Sequence, residues 1–213
     1  MTDLTDDGVN FALVPKPQGY KPALDKAWAQ LEEQTDEGVI NRKGAYLGPE
    51  EKLCVEMLGD EFCVERDKKE VWWNGQKAPE FFAVLVLHYL TDLSSKKPSG
   101  DWISFRELEG GDFYFPAFAG RTIQRLKATF TGREKALLEV AKKLGGEEVE
   151  FGDAAATFRV LPNIVISVVL HEACEDFPNE ANILFDSTCR DILPTEDLAV
   201  AGSLLVSRIC KSV

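Results

Sequence analysis

The sequence predicts an α+β fold, with an antiparallel or mixed sheet packed against several helices in a single domain over residues 21–213. Three observations predict it. Strand-like segments gather in two blocks, 51–73 and 149–170, with helical patterns between and after them, an order that suits α+β better than regular strand–helix alternation. Apolar residues make up 45% of the chain and charged residues 28%, the proportions of a globular protein rather than a disordered one. A length of 213 residues is enough for one good core and only marginally enough for two. Thirteen Phe and four Trp give that core large side chains to bury.

Residues 1–20 hold two prolines and two glycines among mixed polar residues and read as an N-terminal arm. Over 21–34, Leu24, Ala27, Trp28 and Leu31 recur at helical spacing, Pro22 suits the first turn, and Gly38 is the expected stop. From residue 51 the period changes to two. Leu53, Val55 and Met57, then Phe62 and Val64, alternate with polar residues around a turn at Leu58-Gly59-Asp60-Glu61. Val71-Trp72-Trp73 runs into Asn74-Gly75, a tight-turn pair, so the block reads as an antiparallel meander.

Residues 79–93 are strongly apolar after Pro79 and predict a buried helix, followed by a polar loop at 94–100. Residues 102–105 look extended and lead to Gly110-Gly111 and the aromatic cluster Phe113, Tyr114, Phe115 and Phe118. The stretch 121–144 predicts one long helix or a pair broken at Gly132, with Gly145 as its stop. Strands are expected at 149–151 and 156–161, and the continuous apolar run 164–170 suits a central strand. Residues 176–186 are too long and mixed for a turn and should pack across the domain through Phe177, Ile183, Leu184 and Phe185, with Asp186-Ser187 capping a short turn. Thr195 starts the last helix, which ends near Cys210.

The formal net charge of −12 argues against nucleic acid or anionic lipid as partner, because affinity for phosphates comes mainly from Lys and Arg. It favours cationic ligands or a basic protein partner. The apolar runs 81–87 and 164–170 are too short to cross a membrane, and the acidic first ten residues lack the pattern of an export signal. The five cysteines, an odd number without CxxC spacing, then read as reduced thiols of a cytoplasmic protein.

Two constellations could carry chemistry. His171 ends the apolar strand and is followed by Glu172, Cys174, Glu175 and Asp176; imidazole, thiolate and carboxylate make His171, Glu172 and Cys174 a candidate metal set. The spacing is not that of HExxH, since position 175 is Glu, and a solvated acidic loop explains the same residues. A nucleophilic pairing of Cys174 with His171 competes with a plain free thiol. The second constellation is Trp102, Arg106, Phe113, Tyr114 and Phe115, a stacking and anion-clamping wall for a flat ligand, with Gly110-Gly111 allowing close backbone approach. An aromatic core patch under a glycine turn is the plainer alternative. His88, on an apolar helix, reads as a satisfied boundary histidine. No dinucleotide loop, phosphate loop or nucleophile elbow occurs.

The stretches 102–111 (WISFRELEGG) and 177–186, followed by Leu193-Pro194-Thr195-Glu196-Asp197, resemble the family labelled domain of unknown function 3786, over most of the chain from about residue 21. The resemblance implies company with anaerobic bacteria and archaea, and with relatives joined to an iron–sulfur segment like that of corrinoid proteins. This chain has no such four-cysteine segment, and the family supplies no catalytic residues to carry over. Together these readings give the expectation of a cytoplasmic binding protein in anaerobic cofactor metabolism that holds a corrinoid, a haem or another small-molecule macrocycle. Trp102, Arg106, Phe113 and Tyr114 would form its walls and His171 would be an axial ligand. The alternatives are an enzyme working through the His171 and Glu172 end of strand 164–170, and an acidic subunit that docks a protein partner.

Overall fold

A computed structural model describes residues 19–174 and 178–213; residues 1–18 of the expected arm, and Glu175, Asp176 and Phe177, lie outside the described residues. The first block of alternation folds as a five-stranded antiparallel meander. Its strands, β1 (Tyr46–Leu47), β2 (Leu53–Met57), β3 (Asp60–Glu65), β4 (Glu70–Trp73) and β5 (Gln76–Lys77), lie side by side in chain order. The period of two turns Leu53, Val55, Met57, Phe62, Val64 and Val71 inward, where all are buried. They face helix α3 (Glu80–Thr91), whose Phe82 ring lies 5.6 Å from Phe62 and 5.9 Å from Trp73. Both predicted tight turns form, with left-handed pairs at Leu58-Gly59 (φ +53° and +81°) and Asn74-Gly75 (φ +46° and +81°), the geometry that matches strand twist in a two-residue hairpin.

That register brings Cys54 directly opposite Cys63, with Cα atoms 4.1 Å apart, and the two are disulfide-bonded. The expectation of five reduced thiols is therefore corrected: only Cys174, Cys189 and Cys210 are free. Counting three places back on each strand from the Met57–Asp60 closing pair of this two-residue hairpin alternates to a non-hydrogen-bonded pair, where side chains come closest.

The second sheet has the order β6-β10-β9-β8-β7, all antiparallel, with β6 (Trp102–Ser104), β7 (Glu147–Glu148), β8 (Ala154–Leu161), β9 (Ile164–His171) and β10 (Glu180–Asp186). The apolar run of β9 takes the centre. The strand expected at 149–151 is a short edge strand two residues earlier. The segment 176–186 contributes a full strand rather than a crossing loop. Its alternation is real, with Ala181, Ile183 and Phe185 buried, but Leu184 between the last two disguised the period as a continuous run. Leu58 donates its backbone N–H to Val160 at 3.0 Å, joining the first hairpin to the second sheet.

Helix α1 (Lys21–Glu32) starts as expected with Pro22 in its first turn, but Gly38 does not end the region. It lies inside a further helix, α2 (Asp36–Lys43), because the Thr35 side chain caps by accepting the Gly38 N–H. The aromatic cluster forms α4 (Gly111–Arg121). The 121–144 stretch resolves as the broken pair, α5 (Ile123–Phe130) and α6 (Glu134–Lys143), separated at Gly132. Helix α7 (Thr195–Lys211) runs through the middle, and Leu198, Ala201, Leu204, Leu205, Val206 and Ile209 bury apolar surface around most of its circumference. Each such Leu or Ile contributes about 1.5–3 kcal/mol. Buried residues of both sheets, α3 and α7 form one continuous cluster. Among the described residues no helix is long and apolar enough to cross a membrane.

Candidate functional site

Strand alternation gives the second sheet two faces. Ile103, Phe158, Ile166, Val168, Ile183 and Phe185 point to the helices. Trp102, His171, Val165, Ser167 and Val169 share the opposite face. There the segment after β7 folds back, so that the Phe151 ring meets Trp102 edge-on at 5.9 Å. A Cβ on Gly152 would come within 2.9 Å of His171 Cε1, so the imidazole rests against that backbone. Trp102 and His171 thus lie on one face with the Phe151-Gly152 segment lapped over it, and both are half-buried.

The other members of the aromatic constellation belong to the helical side. Ser104 and Glu107 close a capping box around a 3-10 turn at Phe105–Glu107. Phe105 stacks on Phe118 at 3.9 Å in the core. Arg106 points outward, lying 3.8 Å over Phe115 and 3.0 Å from Asp112, so its own neighbours already satisfy it. Phe113 is 83% exposed and meets Tyr114 edge-on. Gly111 does permit a close approach, but to its own chain: a Cβ there would fall on the Phe105 carbonyl oxygen.

Tyr114 instead lines an open cleft of about 240 Å³ with Glu109, Arg190, Leu193, Pro194, Thr195 and Glu196. Thr195 Oγ1 donates to the Glu109 carbonyl at 2.8 Å, tying the start of α7 to the loop before α4. The N-cap position of α7 is Pro194, which has no side-chain acceptor, so the helix start is uncapped, with Thr195 and Glu196 of its first turn lining the cleft. Arg190 is placed by a 3-10 turn at Ser187–Asp191, anchored on Asp186. Asp186 is 1% exposed and accepts from Gly100 N–H (2.7 Å), Thr188 N–H (3.0 Å) and Thr188 Oγ1 (2.6 Å). Burial pushes its carboxyl up, but those donors outweigh burial and hold it below the usual range. Arg190 is exposed and, among the described residues, makes no ion pair within 4 Å, its charge reaching the Glu107 carboxylate at longer range.

At the end of β9 the candidate metal set does not converge. His171, Glu172 and Cys174 do not bring three ligand atoms together, and Cys174 is exposed. Glu172 lies among carboxylates instead. Its N–H donates to Asp153 Oδ2 at 2.8 Å, and the nearby charge of Glu134, then desolvation and Asp153, raise its pKa above the ordinary glutamate value. His88, on α3, is held by Asp197 at 2.6 Å, as a satisfied boundary histidine should be. Burial pushes the Cys189 thiol up to about 12, which leaves it unreactive at neutral pH.

The family model described as Domain of unknown function (DUF3786) matches residues 37–208. The chain belongs to the DUF3786 family. The DUF3786 match takes in both walls of the cleft, and two of the three stretches that carried the sequence resemblance, 102–111 and 193–197, meet there through Thr195 and Glu109. No curated protein and no solved structure matches this DUF3786 chain. Sequence reasoning singled out Tyr114 but missed Glu109, Arg190 and Glu196 as cleft residues. Leu193–Asp197 was visible as a helix start and as part of the family resemblance but not as a cleft wall, and Arg190 carries no local signal because the buried Asp186 anchor that positions it is a tertiary feature.

Proposed function

We propose that this protein is a binding protein, and that its cleft between the Glu109–Tyr114 and Arg190–Glu196 walls takes a small molecule carrying both a carboxylate and an ammonium group. The observation that carries the reading is the presence of opposite charges on one cleft. The guanidinium of Arg190, together with the N–H groups of the uncapped α7 start, suits an anionic end. The carboxylates of Glu109 and Glu196 suit a cationic end, and Tyr114, Leu193 and Pro194 offer apolar surface between them. A cleft of about 240 Å³ lies below the range usual for drug-sized ligands, about 300–1,000 Å³, which favours a ligand of amino-acid size. A corrinoid or haem is the larger version of the same proposal. It would draw on Tyr114 and Phe113, while Trp102 and His171 lie on the far face of the sheet. A cytoplasmic setting and a role in anaerobic cofactor metabolism belong to this proposal and rest on the composition and the family resemblance.

The test is native mass spectrometry of the anaerobically purified protein after incubation with a mixture of free amino acids, and separately with cobalamin and with haem. A one-to-one amino-acid adduct that disappears in Arg190→Ala supports the reading. A cobalamin or haem adduct insensitive to Arg190→Ala contradicts the small-ligand form.

The enzyme alternative has one observation in its favour, the crowding of Glu172, Glu134 and Asp153 that raises the Glu172 pKa above its ordinary value. It is weighed by whether Glu172→Gln removes any hydrolytic activity found in the wild type.

A further inference from the structure

The outer face of the first sheet carries a second constellation, remote in sequence from the cleft. Tyr46, Cys54, Cys63, Trp72 and Lys77 form one cross-strand row on it, and Glu56 and Glu61 face each other in the next row. The two sulfurs and a Glu61 carboxylate oxygen all lie within 4.8 Å of one another. Tyr46 donates its hydroxyl to Glu61 Oε2 at 2.8 Å, which aims the carboxylate. The segment before β2 crosses directly over the sulfurs at Gly48, where a Cβ would come 2.5 Å from Cys54 Sγ. Only glycine fits that close approach.

Charge on this face is distributed unevenly. Lysines sit against the neighbouring glutamates: Lys52 and Lys68 on Glu65, and Lys77 on Glu70. Among the described residues no ion pair reaches Glu56 or Glu61. Like charges directly opposite on a sheet are destabilising, and a cation beside Glu61 relieves them.

We infer that Cys54, Cys63 and Glu61 form a redox-gated site for a thiophilic divalent cation such as Zn²⁺, closed in the disulfide form and opened by reduction. A dithiol reductant gives two electrons and two protons to the Cys54–Cys63 bond and itself closes to a disulfide, leaving two thiols. The metal then displaces both thiol protons and is held by two thiolates and the Glu61 carboxylate. Two sulfurs at about 2.3 Å from a tetrahedral ion stand roughly 3.8 Å apart, a separation that directly opposed cysteines reach by side-chain rotation alone. Softness selects the ion: thiolates favour Zn²⁺ over Mg²⁺ or Ca²⁺. On the cytoplasmic setting proposed above, such a pair also accounts for the disulfide, since disulfides there are transient and redox-linked.

The experiment is a Co²⁺ titration of the full-length protein, reduced and handled without oxygen, followed by near-ultraviolet absorption. One equivalent of Co²⁺ giving a thiolate charge-transfer band, displaced by Zn²⁺ and absent from diamide-oxidised protein, is the expected result. Cys174→Ser should leave the band intact. Glu61→Gln keeps both thiols and the hairpin, and should weaken affinity at least tenfold without changing the thiol count. Reduced wild type with no thiolate band, unchanged affinity in Glu61→Gln, or loss of the band in Cys174→Ser would each overturn the site.

Discussion

Thr195 Oγ1 and the Glu109 carbonyl, 86 positions apart in the chain, are joined by a 2.8 Å hydrogen bond, and through it the start of the central helix α7 is fastened to the loop that launches α4. The bond joins two residues that line the cleft and so holds its walls together. Thr195→Val preserves branching and removes the donor. A loss of about 0.5–1 kcal/mol is expected for one partly exposed hydrogen bond, read as a lower denaturant midpoint, together with weakened binding in the cleft.

Asp186 should matter far more to stability. It is buried and gathers donors from Gly100 and Thr188, so Asp186→Ala strands several polar groups and should remove about 3 kcal/mol. Because its folded pKa is depressed, its contribution is fully present above the ordinary carboxylate pKa and disappears as pH falls through the folded one. Urea midpoints of wild type and variant should therefore converge in strong acid.

Glu172 has the opposite sign. Its pKa is raised by Glu134, desolvation and Asp153, so the folded state holds its proton more tightly than the unfolded chain. The favourable contribution is present at low pH and is lost as pH rises through the raised value. Glu172→Gln should be slightly more stable than wild type at about pH 7, and the advantage should shrink toward about pH 4, measured as the difference in thermal midpoints.

Lys43 is wholly buried, paired with Asp92, and donates to the Ser94 carbonyl at 2.9 Å. Its side chain also lies over Tyr89, whose hydroxyl bonds the Lys43 carbonyl at 2.7 Å. Removing one partner should be worse than removing both. Lys43→Met alone should cost about 3 kcal/mol, and adding Asp92→Asn should restore part of it. Urea denaturation of the two variants measures the difference.

Much of this fold was legible from periodicity. The meander, both tight turns, the buried helix α3 and the central strand β9 follow from alternation and glycine placement in short windows. Strand β10 was missed because Leu184 filled the polar place in its alternation, and α2 because a cap at Thr35 tolerates Gly38 in the first turn. The site was less legible. Tyr114 stood out as an aromatic beside glycines, but Arg190 and Glu109 become neighbours of the α7 start only through Asp186 and Thr195, and no local pattern encodes those contacts. The disulfide occupies an intermediate position: once the Leu58-Gly59 turn sets the register, Cys54 must face Cys63, yet cysteine counting alone pointed to free thiols.

The cleft is tested most directly by an amide nitrogen–proton NMR titration of the isotope-labelled protein with free amino acids. Saturable shifts concentrated at Glu109, Tyr114, Arg190, Thr195 and Glu196, and lost in Arg190→Ala, are the expected result. Shifts confined to the Trp102 and His171 face, or no saturable shift with any amino acid, would contradict it.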